Sequence, residues 1–327
     1  MISEASRLIL ILTFSCALAA GAADESLNPG TKVPAAGGDG PQDVRVIPGF
    51  LVIPSATNVI RFGICTNAAP DSPHLVNTFE IEAYGQSLLP SPRASRPPHW
   101  IEASNACLHN VLVNGAGPRL APTNSMTVVE QASGPDWTYV ALDASAAYGD
   151  RVKVFRRGLL FVEPDLFVLH DHLVGKEPLT FQMILHPPAA TGLDPVWHDL
   201  RLELPKAGIR IHTPAGRRAL RSWERFESPV DGLLPGTVTM RLGPTNKVSE
   251  LNVVTVFAVY RTGVSNDYAF KLLESNTAVG ARIHRQGLPT LVAFRIDPAA
   301  EGASLTGFGF RGPVGVDVFK PKRRGQP

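Results

Sequence analysis

Two apolar runs separated by a short turn decide the fold, in the stretch Arg157-Gly158-Leu159-Leu160-Phe161-Val162-Glu163-Pro164-Asp165-Leu166-Phe167-Val168-Leu169-His170-Asp171-His172. The runs 158–162 and 167–172 are each of strand length, too short for a typical helix. Glu163-Pro164-Asp165 between them is typical of a tight turn. The stretch therefore predicts an antiparallel pair of strands.

The same period-two pattern extends along the chain in both directions. In residues 78–84 the apolar side chains of Phe79, Ile81 and Ala83 alternate with polar or amphipathic ones, as expected for a half-buried strand. Further strands are predicted at 110–113, 126–130, 138–142, 151–156, 179–185, 200–204, 209–212, 237–242, 253–260, 269–274, 280–284, 290–296 and 315–319. Only 143–148 and 194–200 show weak helical patterns of one or two turns. The prediction is an all-β fold, a large antiparallel multi-sheet β-sandwich of the supersandwich type, over residues 43–320.

Composition excludes several classes of protein. The 327 residues are 44% hydrophobic with a net charge of +2, which excludes disorder for most of the chain. The basic residues are scattered apart from a tail at 321–327, so the chain is not expected to bind nucleic acid. The 29 prolines disfavour long helices, because proline removes a backbone donor and clashes with the preceding turn.

The N-terminus predicts export. A basic residue, Arg7, precedes an apolar run at 8–12 and small residues at 17–23, the pattern of a signal peptide. We assign it to residues 1–22, with cleavage after Ala22 or, alternatively, Ala19; a retained anchor is the other interpretation. Residues 23–42, rich in Gly and Pro, are predicted to be a flexible linker. No later run is long enough to cross a membrane, so the mature chain is expected to be secreted, periplasmic or in the cell envelope.

Two cysteines, Cys65 and Cys107, follow the predicted leader. Export permits a disulfide between them. Two buried free thiols are an equal alternative, since a domain of this size needs no covalent link.

Histidines are the main candidates for chemistry, since the chain lacks P-loop, dinucleotide-binding, Gly-x-Ser-x-Gly and His-Glu-x-x-His motifs. His109 opens a predicted strand and is either a ligand or general base, or a buried histidine with satisfied hydrogen bonds. In His170-Asp171-His172 strand alternation places both imidazoles on one face. They either chelate a metal, or Asp171 caps a backbone group at a strand end. His186, at the end of an apolar strand, has the same two interpretations.

Basic and aromatic residues offer a second kind of candidate. Arg119, Arg218 and Trp223 are candidate carbohydrate-binding residues, the last two within a stretch rich in arginine. Such a stretch binds an anionic sugar or is a solvated loop.

Residues 73–117 resemble the start of the C-terminal β-sandwich of the heparinase II/III-type polysaccharide lyases. Residues 77–90 resemble the family's first strand, with its following Gly and Leu-Leu pair, and residues 109–115 resemble its His-Asn strand ending in Asn-Gly. Three later motifs fall in family order: 143–148, 157–165 and Leu185-His186. The resemblance covers about residues 58–186.

The resemblance implies a zinc site and a catalytic loop, and this chain departs from both. In ungapped register the family's loop histidines fall on Asp71 and Pro73, and His74 substitutes only with a shift of one residue. The metal-binding aspartate falls near Ser91. His109 alone is retained, and one imidazole does not hold structural zinc. We therefore expect no metal cofactor.

The resemblance also implies β-elimination on uronate-containing glycans, for which the relatives use an (α/α) toroid ahead of the sandwich. Only residues 24–42 precede the sandwich here, so a toroid is not expected. Three hypotheses remain open. In the first, the chain is an accessory module or one part of a split lyase whose toroid is a separate protein. In either case its expected partner is an acidic polysaccharide or oligosaccharide. In the second, it is a self-sufficient lyase with His109 as base and Tyr84 or Tyr148 as acid. His74, in a predicted loop, is a further catalytic candidate. In the third, it is a structural module of the cell envelope.

Overall fold

The computed structural model describes residues 45–47, 50–54, 58–63, 77–90, 109–118, 126–188, 194–196, 198–213, 224–226, 238–264, 267–285, 288–296, 303–305, 308–309 and 316–319. The first eleven strands are β1 (Arg45–Ile47), β2 (Phe50–Pro54), β3 (Asn58–Gly63), β4 (Phe79–Ala83), β5 (Gln86–Leu89), β6 (Asn110–Val113), β7 (Thr127–Gly134), β8 (Trp137–Asp143), β9 (Val152–Val162), β10 (Leu166–Leu179) and β11 (Phe181–Leu185). The remaining strands are β12 (Asp194–Val196), β13 (Asp199–Glu203), β14 (Ala207–His212), β15 (Glu224–Phe226), β16 (Thr239–Leu242), β17 (Val248–Arg261), β18 (Tyr268–Glu274), β19 (Ala278–Arg285), β20 (Leu288–Arg295), β21 (Ser304–Leu305), β22 (Phe308–Gly309) and β23 (Val316–Phe319).

Antiparallel sheets form this part of the chain, so the predicted all-β sandwich is confirmed. The central sheet has eight strands in the order β12-β13-β14-β17-β10-β9-β8-β7. A five-stranded sheet (β1–β5) and two four-stranded sheets (β15-β16-β11-β6 and β18-β19-β20-β23) accompany it. One short helix, α1 (Ser145–Tyr148), is described, as the sequence predicted. No helix among the described residues is long and apolar enough to cross a membrane.

The predicted hairpin is the middle of the central sheet. Val162 of β9 is paired with Leu166 of β10, and the register continues to Arg157 opposite Asp171. The two strands predicted at 151–156 and 158–162 are one continuous strand, so that division was wrong. The physical reason is Arg157, a charged residue that reads as a strand end but is buried inside β9.

The helical pattern predicted at 194–200 is also wrong, because this segment contributes to the two strands β12 and β13. Leu200 and Leu202 are buried, whereas Arg201 and Glu203 between them are exposed. This period of two buries one row of side chains against the core. The sequence prediction also omitted β1–β3, β5, β15, β21 and β22.

Both faces of the central sheet are covered by other layers. Odd-numbered side chains of β9 and β10, such as Phe161 and Phe167, pack with the five-stranded sheet and with β6, β11 and β16; we call this the inner face. Even-numbered side chains, such as Leu160 and Val168, pack with β18, β19, β20 and β23; we call this the outer face.

Candidate functional site

His109 lies in the interior, immediately before β6. Its Nε2–H donates to the carbonyl oxygen of Pro90 at 2.9 Å, and its Nδ1 accepts from the backbone N–H of His186 at 3.0 Å. The side chain is fully buried beside the ring of Phe79, at a centroid distance of 5.5 Å. Burial, and then the neighbouring His186, lower the pKa of His109 to about 3. This imidazole is therefore neutral at physiological pH.

A zinc ion does not fit at His109 in this arrangement, because a metal ligand needs a free nitrogen lone pair. Nε2 carries a proton that Pro90 accepts, and the Nδ1 lone pair is used by His186. The Nδ1 of His186 is in turn 3.2 Å from the Thr239 hydroxyl. Across the part of the chain that the structure describes, no three His, Cys, Asp or Glu side chains are grouped to hold a metal. That the protein uses no metal stays a prediction.

The two tyrosines proposed as acids occupy different environments. Tyr84 lies in the turn between β4 and β5 at φ +52°, half-buried, and the Arg261 guanidinium lies 5.3 Å from its ring centroid. Tyr148, in α1, is fully buried, and burial raises its pKa. The self-sufficient lyase required a base and an acid on one open face, whereas His109 and Tyr148 are both enclosed.

A buried polar network surrounds Tyr148. Its hydroxyl oxygen accepts from the Asn77 amide at 2.9 Å and lies 2.7 Å from the carbonyl oxygen of Val111 and 2.9 Å from Oδ1 of Asn110. Asn110 Oδ1 also accepts from the backbone N–H of Val111 at 2.7 Å. The network thus connects the start of β4, the start of β6 and α1. We interpret it as structural, because no part of it reaches solvent.

Sequence reasoning missed a buried ion pair that contacts this network at Asn77. Nε and Nη2 of Arg157 bind the two carboxylate oxygens of Asp171 at 2.6 and 2.9 Å, and Nη1 donates to the carbonyl oxygen of Asn77 at 2.7 Å. Both side chains are buried, at 0% and 2% exposure. Asp171 therefore neutralises a buried guanidinium, and its predicted role as a backbone cap is wrong. The hairpin register was the signal, since a turn at 163–165 places Arg157 opposite Asp171.

The imidazoles of His170 and His172 lie on the opposite face of β10 from Asp171, as predicted. Nε2 of His170 is 3.3 Å from Oδ1 of Asn252, and Nε2 of His172 is 3.3 Å from Oε1 of Glu250. Burial, and then the neighbouring His172, lower the pKa of His170 to about 3. These contacts are hydrogen bonds to β17 and do not form a chelate.

A carboxylate–imidazole pair that the sequence did not indicate lies on the outer face at β13 and β14. Oδ1 of Asp199 is 2.6 Å from Nδ1 of His212, and its Oδ2 accepts from Nη2 of Arg210 at 2.5 Å. Burial alone would raise the pKa of Asp199, but these two partners lower it to about 2. The His212 ring stacks on Phe270 at 4.8 Å, so the pair connects the central sheet to β18.

The other predicted site residues lie outside the described residues: His74, Arg119, Arg218, Trp223, Cys65 and Cys107. The predicted leader, linker and basic tail lie there too. The predictions for these positions therefore stay predictions.

Comparisons with known proteins bear on this fold. No protein-family model matches the chain, and no curated protein matches it by sequence. A crystal structure of heparinase III matches with a TM-score of 0.58 and 15% identity, over 78% of this chain and 43% of that one. The chain has a heparinase III-type sandwich fold. The heparan sulfate lyase HepC from Pedobacter heparinus matches it with a TM-score of 0.57 and 12% identity, over 76% and 42% of the two chains.

The resemblance inferred from residues 77–90 and 109–115 is thereby confirmed at the level of the fold. The chain spans less than half of the length of either lyase.

Proposed function

We propose that this chain is a lyase-related sandwich that is exported and binds uronate-containing glycans without performing β-elimination by itself. The observation that carries the proposal is the state of His109, the retained family histidine. A general base must reach the proton that it abstracts, and His109 is enclosed with both ring nitrogens bonded to the protein. A separate toroid-domain protein would supply the reacting groups, as the resemblance implies.

The electrostatics of the interior support the same proposal. A base that works near neutral pH needs a pKa near the operating pH, whereas burial lowers the pKa of His109 to about 3. An acid that protonates a leaving oxygen must be accessible, and Tyr148 is 0% exposed. Tyr84 is the more accessible of the two tyrosines proposed as acids.

The test measures elimination and binding separately. The purified chain is mixed with heparan sulfate or chondroitin sulfate, and the ultraviolet absorbance of unsaturated uronate is followed, with active heparinase III as the positive control. We expect no rise for the chain alone, but retention on an immobilised acidic polysaccharide. Turnover by the purified chain alone would refute the proposal, and its loss in His109→Gln would assign that turnover to this histidine.

The alternative is a non-catalytic structural module of the cell envelope. The observation that favours it is that the polar groups around Tyr148 and Arg157 bond to one another in the interior. The binding arm of the experiment separates the two functions, because a purely structural module would not be retained by any glycan.

A further inference from the structure

The outer face of the central sheet is covered along only part of the length of its strands. Leu166 and Val168 of β10 pack beneath the sheet formed by β18, β19, β20 and β23. His170, the next residue of β10 on this face, is the last that we find under this cover, and it stacks on Phe294 of β20 with ring centroids 5.0 Å apart. Beyond His170 the strands continue, and the side chains on this face become partly exposed, from 13% for His172 to 45% for Glu250.

A group of polar side chains, which we call the outer-face row, occupies this uncovered part: Glu130, Arg156, His172, Asn252 and Glu250. Its centre follows from strand register. His172 on β10 is directly opposite Arg156 on β9 and opposite Asn252 on β17. Neighbouring strands lie about 4.8 Å apart, so these three side chains form a line across the sheet.

Hydrogen bonds orient one end of the row. The Asn252 amide donates to Oε1 of Glu250 at 3.3 Å, so its Oδ1 accepts from Nε2–H of His170 at 3.3 Å. Nε2–H of His172 donates to the same Oε1 at 3.3 Å. Two donors thus converge on a single carboxylate oxygen, and none of the described residues forms a hydrogen bond to Oε2 of Glu250. At the other end, Arg156 forms an ion pair with Glu130.

Accessibility rises along the row. The Glu250 side chain is 45% exposed, whereas His172 and Arg156 are 13% and 17% exposed. Next to His172 and Arg156, the paired residues Val154 and Val174 form an apolar surface, and Val154 is 36% exposed. Side chains that accept and donate hydrogen bonds therefore adjoin an apolar surface, the combination found in small-ligand sites.

The charge of the row restricts the ligand. Glu130 and Arg156 neutralise each other, and the pKa of about 3 keeps His170 neutral. Glu250 leaves the row with one negative charge, or with none when His172 is protonated. Such a surface does not attract sulfate or carboxylate groups. Sugar hydroxyls both donate and accept hydrogen bonds, so they match a carboxylate, an amide and a guanidinium side by side.

We propose that the outer-face row binds a neutral sugar unit, an uncharged hexose or N-acetylhexosamine, at a site distinct from the region of His109. Oε2 of Glu250 accepts from one hydroxyl, Asn252 and His172 position that carboxylate, and the ring lies over Val154. The inference rests on the proposed function, in which the chain binds glycans. It adds the location of a binding site and the class of sugar bound there.

The experiment titrates the full chain with chitotetraose, cellotetraose and mannotetraose by isothermal calorimetry, together with Glu250→Ala and Asn252→Ala. We expect the wild type to bind at least one of these neutral oligosaccharides with a Kd below about 1 mM. Each variant is expected to weaken that binding about tenfold, the effect of removing a hydrogen bond to a charged group. Glu203→Ala is the matched control, because Glu203 is an exposed carboxylate on β13 outside the row.

Binding that both row variants leave unchanged would overturn the inference, as would a wild type that binds none of the three oligosaccharides. Thermal melting of each variant confirms that the fold is retained. A parallel titration with heparosan, in which uronate alternates with N-acetylglucosamine, separates this inference from the proposed function. Heparosan binding without neutral binding overturns the inference alone. Neutral binding that the row variants weaken, without heparosan binding, supports the inference and overturns the uronate specificity.

Discussion

Two buried histidines should make this protein sensitive to mild acid. Burial holds the pKa of both His109 and His170 at about 3, whereas an unfolded chain has histidines near 6.5. Between these values the unfolded state binds one more proton at each site, so stability falls as the pH falls. The contribution of each histidine is fully present above about pH 6.5 and is lost on going down towards pH 3.

The size of this stability loss follows from the slope of the unfolding free energy against pH. Each histidine lowers the free energy of unfolding by about 1.4 kcal/mol per pH unit within this window, and the two together by about 2.7 kcal/mol per unit. Going from pH 6 to pH 4 therefore removes about 5 kcal/mol, a large part of the stability of a typical domain. The carboxyl of Asp199, with a pKa of about 2, loses its contribution at lower pH, below about 4.

The assay is urea unfolding followed by far-ultraviolet circular dichroism between pH 4.5 and 6. His109→Gln removes one of the two groups, so we expect the slope of the unfolding free energy against pH to fall by about half. Phe161→Leu is the control, because it removes core packing without a titrating group and lowers stability equally at each pH. A slope that His109→Gln leaves unchanged would show that His109 is not held neutral by burial.

Three further outcomes are expected. Arg157→Met should lower the free energy of unfolding measured in urea by about 3–5 kcal/mol, because Asp171 is left as an unpaired buried charge. Adding Asp171→Leu should restore most of the lost stability. Equal stability of the single and double variants would contradict this. Gly280→Ala should lower the melting temperature, because a Cβ would lie 2.1 Å from the carbonyl oxygen of Val292, and an unchanged melting curve would be inconsistent with this packing. Far-ultraviolet dichroism should show a strand-dominated spectrum, and a predominantly helical one would contradict the fold.

Local sequence patterns were sufficient to predict elements that depend only on one strand and its adjoining turn. The hairpin around Glu163-Pro164-Asp165 was predicted correctly because alternation and turn residues act over a few residues. The segment 194–200 was predicted wrongly because a short mixture of apolar and polar residues fits either period. Pairing of β12 with β13, and of β13 with β14, which the sequence does not show, makes it part of two strands.

Candidate site residues were harder to assign, because their environments come from distant parts of the chain. The partners of His109 are Pro90 and His186, 19 and 77 residues away. Its neighbourhood in the sequence resembles that of the lyase family, yet these two contacts are what enclose it. Its position along the chain made His109 a candidate site residue, but it did not indicate whether solvent reaches the side chain.

The amino-acid sequence by itself determined that the chain forms layered antiparallel strands and that His170 and His172 share a face, because side chains alternate along any strand. Only the tertiary structure decided that His170 is covered while Glu250 and His172 are partly open. The reason is physical: alternation assigns a side chain to a face, but the extent of the sheet packed on that face determines whether water reaches it.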